Sequence, residues 1–549
     1  MTDATQSATP LPQFTQRAEP AKPNMDELAQ ITRRILQARI YDLALETPLD
    51  LMPQLSKKLG HTVLLKREDL QPVFSFKLRG AYNKIRQLPK DLLEKGIICA
   101  SAGNHAQGVA MSAQKLGIRA VIVMPATTPE IKVASVAARG AEVVLIGDAF
   151  DQALQHAMTL VEKENLTFIH PYDDDDIIAG QGTTGMEILR QAPENLHAVF
   201  VPIGGGGLAS GVAAYIKYLQ PNVRVIGVES CDAASMQAAL AANDRVALES
   251  VGIFADGVAV KQVGTRPFEI CLQTLDDVIT ITPDEMCAGI KDIFEATRCI
   301  SEPSGALAVA GLKKYLNKYN EAHAEQALTC VAISSGANMN FDRLRHITER
   351  TAIGEGREAL FAVSIPEQIG SFRTLCRLLS RYSISEFNYR AKANDCVSAE
   401  HNQQSKQELL ASAHIFLGLQ IKKITDRQVV ADYLREHGYK SIDLSDNEVA
   451  RVHLRHMVGG RASQMADEYL YRFEFPERPG ALMQFLEELG QRWNISLFHY
   501  RNHGTDYGRV LAGFNIPHNS INEFAKHLNQ LGYRYFDESD NPAYTCFLS

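Results

Sequence analysis

The sequence contains no C-x-x-C pair, no apolar run long enough to span a bilayer, and no excess of basic residues. Its nine cysteines stand singly, several of them inside apolar runs. That pattern excludes a disulfide framework and a cysteine-built metal site, so reduced core thiols and no metal centre are expected. A net charge of -8 leaves no basic stripe of the kind nucleic-acid binding requires. The first residues lack the basic and apolar regions of a secretory signal, and Asp3 and Glu19 argue against an organellar transit peptide. The expectation is a cytoplasmic chain without membrane contact. Residues 1–24, rich in Thr, Pro, Ala and Gln and without a period, read as a flexible tail.

What is present is ample core material. The chain is 549 residues long and 45% apolar, enough for roughly three or four domain-sized units. From about residue 60 to 230, short β-branched runs alternate with helical patterns: 62–66, 96–100, 120–124, 142–146, 167–170, 198–203 and 223–228, with a last candidate strand at 328–334. Such alternation implies parallel sheets. Val121-Ile122-Val123 and Val199-Phe200-Val201 are apolar at successive positions, as strands covered on both faces must be.

Beyond about residue 355 the pattern changes to an internal repeat. Residues 361–370 (FAVSIPEQIG) match 471–480 (YRFEFPERPG), aligning Pro366 with Pro476, Glu367 with Glu477 and Gly370 with Gly480. Residues 384–390 then match 495–501, Gly438-Tyr439-Lys440 matches Gly532-Tyr533-Arg534, and both copies reach Ser-Asp-Asn at 445–447 and 539–541. Each copy predicts strand, helix, strand, strand, helix, strand, the ferredoxin-like α+β order. A duplicated packing or dimerisation unit without a ligand would read the same way. The copies differ where the first has a polar stretch, 394–407, and the second a tight turn at 502–505.

Four segments in the first part carry chemistry, each near the expected carboxyl end of a strand, where open α/β sheets bind ligands. The first is Lys77 in Phe74-Ser75-Phe76-Lys77-Leu78-Arg79-Gly80-Ala81. Phe76 and Leu78 imply partial burial, which lowers a lysine pKa and frees the amine. The second, Ser101-Ala102-Gly103-Asn104-His105, opens a helix; its backbone N–H groups suit a carboxylate, though a plain Ser or Asn N-cap reads alike. The third is Gly204-Gly205-Gly206-Gly207-Leu208, a phosphate-type turn. With Gly204, Gly206, Ala209 and Glu229 it also fits a relaxed dinucleotide pattern, which leaves an NAD-dependent oxidoreductase open. The fourth is Ser335-Gly336-Ala337-Asn338, whose hydroxyl suits a pyridine nitrogen.

In this order the segments resemble the fold-type II pyridoxal-phosphate enzymes, and within them the threonine deaminase family. The resemblance covers nearly everything after residue 40. It implies a two-part α/β catalytic region with parallel sheets over 25–355, followed by tandem ACT-like regulatory modules at 356–455 and 456–549. It also implies pyridoxal 5'-phosphate as cofactor, with Lys77 as the Schiff-base lysine and Phe76 beside it. By the same resemblance Asn104 partners the phenolic oxygen, Gly204 to Leu208 hold the phosphate, and Ser335 partners the ring nitrogen. Ser101, Ala102, Gly103, Asn104 and His105 are then the carboxylate site for L-threonine. Serine racemases carry a serine where Ala102 stands, so two-sided proton exchange is expected to be weak. The modules are expected to bind isoleucine as inhibitor and valine as activator, with Tyr389 and Tyr500 as candidate effector contacts, in a homotetramer.

Overall fold

The computed structural model describes residues 14–15 and 23–540, apart from 148, 253, 324–325, 342, 367–369, 391–411, 448–449, 451–467, 477–482, 484, 488–492, 502–506, 518–519 and 531–532. It divides into two compact units, Met1–Gly354 and Glu355–Ser549. The polar stretch and the tight turn expected to distinguish the repeats lie outside the described residues, as do Glu367, Glu477, Gly480 and Gly532.

Among the described residues the first unit contains ten strands: β1 (Leu49–Leu51), β2 (Thr62–Arg67), β3 (Ile97–Ala100), β4 (Ala120–Met124), β5 (Glu142–Leu145), β6 (Thr167–Phe168), β7 (Leu196–Pro202), β8 (Arg224–Ser230), β9 (Asp277–Ile281) and β10 (Thr329–Ser334). They form two sheets, one ordered β1-β2-β10-β7-β8-β9 and one ordered β5-β4-β3-β6. Every pairing is parallel except that of β1 with β2. The apolar runs explain the layering. Along β7, Ala198 and Phe200 enter one core cluster while Val199 and Val201 enter another, so each face of the larger sheet buries its own set of side chains. The smaller sheet does the same, with Cys99 and Ile122 on one side and Ile98 and Val121 on the other.

Part of the segment expected to be a loose tail is held. The Asp277 carboxylate, at the start of edge strand β9, accepts the Phe14 N–H at 2.7 Å and the Thr15 N–H at 2.9 Å. The Thr15 hydroxyl donates to the Val278 carbonyl at 2.7 Å. A carboxylate on an open sheet edge thus anchors these two residues; 1–13 and 16–22 lie outside the described residues.

The second unit forms one sheet from β11 (Glu358–Pro366), β12 (Ile384–Arg390), β13 (Ser412–Gln420), β14 (Lys440–Asp443), β15 (Glu468–Pro476), β16 (Asn494–Arg501), β17 (Tyr507–Asn515) and β18 (Arg534–Asp537). Its order is β14-β11-β13-β12-β16-β17-β15-β18, so the second half mirrors the first. Antiparallel pairing of β12 with β16 joins the copies, with Asn388 opposite His499. The repeat extends to single hydrogen bonds. Ser445 Oγ accepts the Leu360 N–H at 2.9 Å, and Ser539 Oγ accepts the Leu470 N–H at 3.0 Å. Ser385 and Ser496 sit at matching register shifts and donate to Glu358 and Glu468 across Gly418 and Gly513. A Cβ on Gly418 would fall 2.6 Å from Ser385 Oγ, so the bridge needs glycine there.

Candidate active site

Three of the four segments follow directly from strand carboxyl ends: Ser101 follows β3, Gly204 comes two residues after β7, and Ser335 follows β10. Lys77 instead opens the helix Lys77–Arg86, with Phe76 as its N-cap. The four segments are tied together. Ser75 forms a backbone bridge with Gly336, the Phe76 N–H donates to the Ser335 carbonyl at 3.2 Å, and the Ala337 N–H donates to the Phe74 carbonyl at 2.9 Å. Phe74 holds that geometry at a φ of 53°, a left-handed conformation costing a non-glycine residue roughly 1–2 kcal/mol. Asn104 Oδ1 accepts from Asn338 Nδ2 at 2.7 Å.

The glycine loop joins through Tyr172, a residue not anticipated as part of the site. A Cβ on Gly205 would lie 2.3 Å from the Tyr172 ring, and one on Gly207 would lie 2.9 Å from the Tyr172 carbonyl. The same ring is 6.0 Å from Lys77 Nζ, and the Phe76 ring is 5.3 Å from it. Gly206, at a φ of 95°, caps the helix Gly207–Leu219, so the loop feeds its backbone N–H groups into a helix N-terminus of the kind that binds phosphate. Leu208 is in the first turn of that helix, 4% exposed.

Lys77 Nζ donates to the Pro171 carbonyl at 3.0 Å. Burial pushes its pKa down to about 8, against the pull of Glu302 in the other direction. An amine this poorly solvated suits a covalent carbonyl partner. The Ser101 segment departs from a plain side-chain cap. The N-cap of the helix Asn104–Leu116 is Gly103, with no side-chain cap bond, while Ser101 Oγ accepts the Gly103 N–H at 3.3 Å. The His105 ring is turned to a structural partner: its Nε2 engages the Ile169 carbonyl at 2.9 Å, and burial, then the charge of Lys77, lowers its pKa to about 3. Ser335 is 3% exposed and its hydroxyl donates to the Ser304 carbonyl at 3.3 Å.

Glu302 was also missed. It is 4% exposed, and its carboxyl accepts from Asn104 Nδ2 at 2.7 Å. The one signal in the sequence is its place just before Pro303, a common helix start that says nothing about its partner. Glu229, by contrast, leaves the site. Its carboxyl accepts the Met236 and Gln237 N–H groups at 2.7 and 2.8 Å, and so is spent on a neighbouring turn rather than available for a ribose. Among the described residues no three His, Cys, Asp or Glu side chains are grouped as metal ligands. Tyr389 and Tyr500 are 9% and 2% exposed and lie in the apolar core of the second unit, so a ligand reaching either ring would have to enter that core.

The residues present fit pyridoxal phosphate: a desolvated amine, a cradle at Gly205 that a side chain would fill, and a hydroxyl and an amide on opposite segments. Residues 40–336 match the family model for pyridoxal-phosphate-dependent enzymes, which makes this a chain of that class. Residues 349–399 and 459–548 match the C-terminal regulatory domain of threonine dehydratase. The biosynthetic L-threonine dehydratase of Burkholderia multivorans is 52% identical over 520 residues, covering 94% of this chain and 99% of that protein. The chloroplastic enzyme of Arabidopsis thaliana is 49% identical over 531 residues, covering 97% and 86%. The solved structure of the processed form of threonine deaminase isoform 2 from Solanum lycopersicum matches with a TM-score of 0.60 at 47% identity, covering 62% of this chain and 93% of that one. The chain belongs to the biosynthetic threonine dehydratase family.

Proposed function

We propose that the chain is a threonine ammonia-lyase that converts L-threonine to 2-oxobutanoate and ammonia, the first committed step of isoleucine formation, under feedback inhibition by isoleucine. The observation that carries this reading is the convergence of four chain segments around one partly buried amine with a depressed pKa. Pyridoxal phosphate, when bound, supplies an aldehyde for the amine and an electron sink for the charge left by the departing α-proton.

The residues divide the rest of the work. Lys77 anchors the cofactor, and its neutral amine takes the α-proton. The backbone from Ser101 through Ala102, Gly103, Asn104 and His105 holds the threonine carboxylate at a helix N-terminus and so orients the Cα–H bond. Gly204, Gly205, Gly206, Gly207 and Leu208 hold the phosphate, Asn104 the phenolic oxygen and Ser335 the ring nitrogen. A neutral hydroxyl at that nitrogen leaves a weaker sink than an acid would, which favours prompt elimination. Phe76 and Tyr172 flank the amine with their rings 5.3 and 6.0 Å from it. Ala102 has no hydroxyl, and His105 is held neutral with its ring nitrogen engaged, so neither is a second base on the opposite face.

The second unit is the site of control, with isoleucine as inhibitor, valine as activator and a homotetramer as the working assembly. Buried thiols such as Cys99, Cys330 and Cys376 support a reducing compartment, the cytoplasm. Lys77→Ala tests the catalytic reading: it should abolish turnover and the cofactor's visible absorbance while leaving the far-UV circular dichroism unchanged. Steady-state activity retained by that variant would refute it.

A further inference from the structure

Glu302 touches two segments that face different edges of the proposed cofactor. Its backbone N–H donates to the Gly336 carbonyl at 3.2 Å, and a Cβ on Gly336 would lie 2.6 Å from its Oε1, so the carboxyl rests against the residue after Ser335. The same Oε1 accepts from Asn104 Nδ2 at 2.7 Å. The other end of the Asn104 amide is fixed too. Its Oδ1 accepts from Asn338 Nδ2 at 2.7 Å, and that nitrogen also donates to the Val73 carbonyl at 2.7 Å.

This arrangement permits one orientation of Asn104. Flipping the amide would set its oxygen against the Glu302 carboxyl and its NH2 against the Asn338 NH2, losing both bonds. In the orientation present, one Nδ2–H is directed to Glu302 and the second remains for a ligand oxygen. We propose that Glu302 is a positioning residue: it locks the Asn104 amide and thereby sets the hydrogen bond to, and the acidity of, the cofactor's phenolic oxygen. The proposal rests on Asn104 being the partner of that oxygen.

The charges around Glu302 come from both sides of the site. Lys77 and Lys132 lie on the helices Lys77–Arg86 and Glu130–Ala137; Asp256 lies in the short turn Asp256–Val258, and Arg343 opens the helix Arg343–Gly354. Lys132 and Arg343 both face Asp256, at 2.8 and 3.7 Å. Burial, then Asp256, pushes the Glu302 carboxyl up to about 7, while Asn104, Lys132 and Arg343 pull it back. The carboxyl therefore changes charge within the working pH range. Ionised, it draws more strongly on the Asn104 N–H, and the polarisation passes to the second N–H of the same amide.

The test compares the holoenzymes of wild type, Glu302→Gln, Glu302→Ala and Asn104→Ala, with fold checked by far-UV circular dichroism. The readouts are the cofactor's visible absorbance against pH without substrate, cofactor dissociation on dialysis, and kcat and KM against pH. Glu302→Gln keeps an acceptor for Asn104 but loses the charge. It should retain cofactor, move the midpoint of the absorbance titration, and remove a limb near pH 7 from the kcat profile with KM little changed. Glu302→Ala releases Asn104 and should weaken cofactor binding roughly tenfold. If Glu302→Ala does not fold, Glu302→Gln alone decides. Wild-type absorbance titration and kcat profile in Glu302→Gln would overturn the proposal. If Asn104→Ala alters the titration in that case, only the role of Glu302 falls; if it is silent as well, the reading of Asn104 falls with it.

Discussion

Lys77 makes the site sensitive to pH in a direction that can be worked out. Its folded pKa, about 8, lies below the ordinary 10.5, so between those values the unfolded chain binds more protons than the folded one. The stability of the cofactor-free protein should therefore rise with pH across that window. Lys77→Met should flatten the rise and stabilise the protein below pH 8, as urea denaturation at a series of pH values would report. An unchanged slope would mean that the amine is not the titrating group. Glu302 acts in the opposite sense. Raised to about 7 from 4.5, it contributes stability that is lost as pH climbs through that interval, and Glu302→Gln should remove the loss. Gly205 makes a steric prediction: with a Cβ 2.3 Å from the Tyr172 ring, Gly205→Ala should weaken cofactor binding about tenfold or more, measured by dialysis. The residues legible in the sequence were those with a local signature, such as a lysine between apolar neighbours or a glycine run after a strand. Tyr172 had none, and Glu302 only the proline that follows it, which marks a helix start and no partner. Glu302 meets Asn104 across a separation of 198 residues, which no local pattern announces.

At the scale of elements, the parallel strands were legible because burial on both faces demands uninterrupted apolar runs. β4 and β10 are buried at every position, and both were expected within a residue of their ends. β1 was missed for the opposite reason: Leu49 and Asp50 are only partly buried and Leu51 is exposed. β9 was missed because Asp277 opens the strand, and that acid is retained to bind Phe14 and Thr15. The repeat was legible in sequence down to Ser445 and Ser539, whose shared bonding to Leu360 and Leu470 gives each serine a defined task. The helix that starts at Lys77 is held by a network with no counterpart in the sequence pattern. Arg79, fully buried, pairs with Glu68 at 2.7 Å and with Glu187 at 2.5 Å, and Lys66 pairs with Glu187 at 2.6 Å. Removing one member strands the others away from water. Arg79→Met should cost about 3–5 kcal/mol in denaturant unfolding, well beyond a typical surface change. A loss under about 1 kcal/mol would show that water or local relaxation replaces the guanidinium.

For the whole molecule, the two units divide catalysis from control. All four proposed catalytic segments lie before Gly354, and the repeat lies after it. Effector control requires a second site and a difference in affinity between two states of the enzyme. A chain ending at Gly354 should therefore still deaminate threonine and lose its response to isoleucine. Inhibition of that truncated chain at the original isoleucine concentration would place the effector site in the first unit. The most direct test of the account is formation of 2-oxo acid and ammonia by the full-length holoenzyme from L-threonine, with and without isoleucine. The account predicts 2-oxobutanoate and ammonia in equal amounts, formed more slowly when isoleucine is present. Failure to release 2-oxobutanoate from threonine, or a rate indifferent to isoleucine, would contradict it.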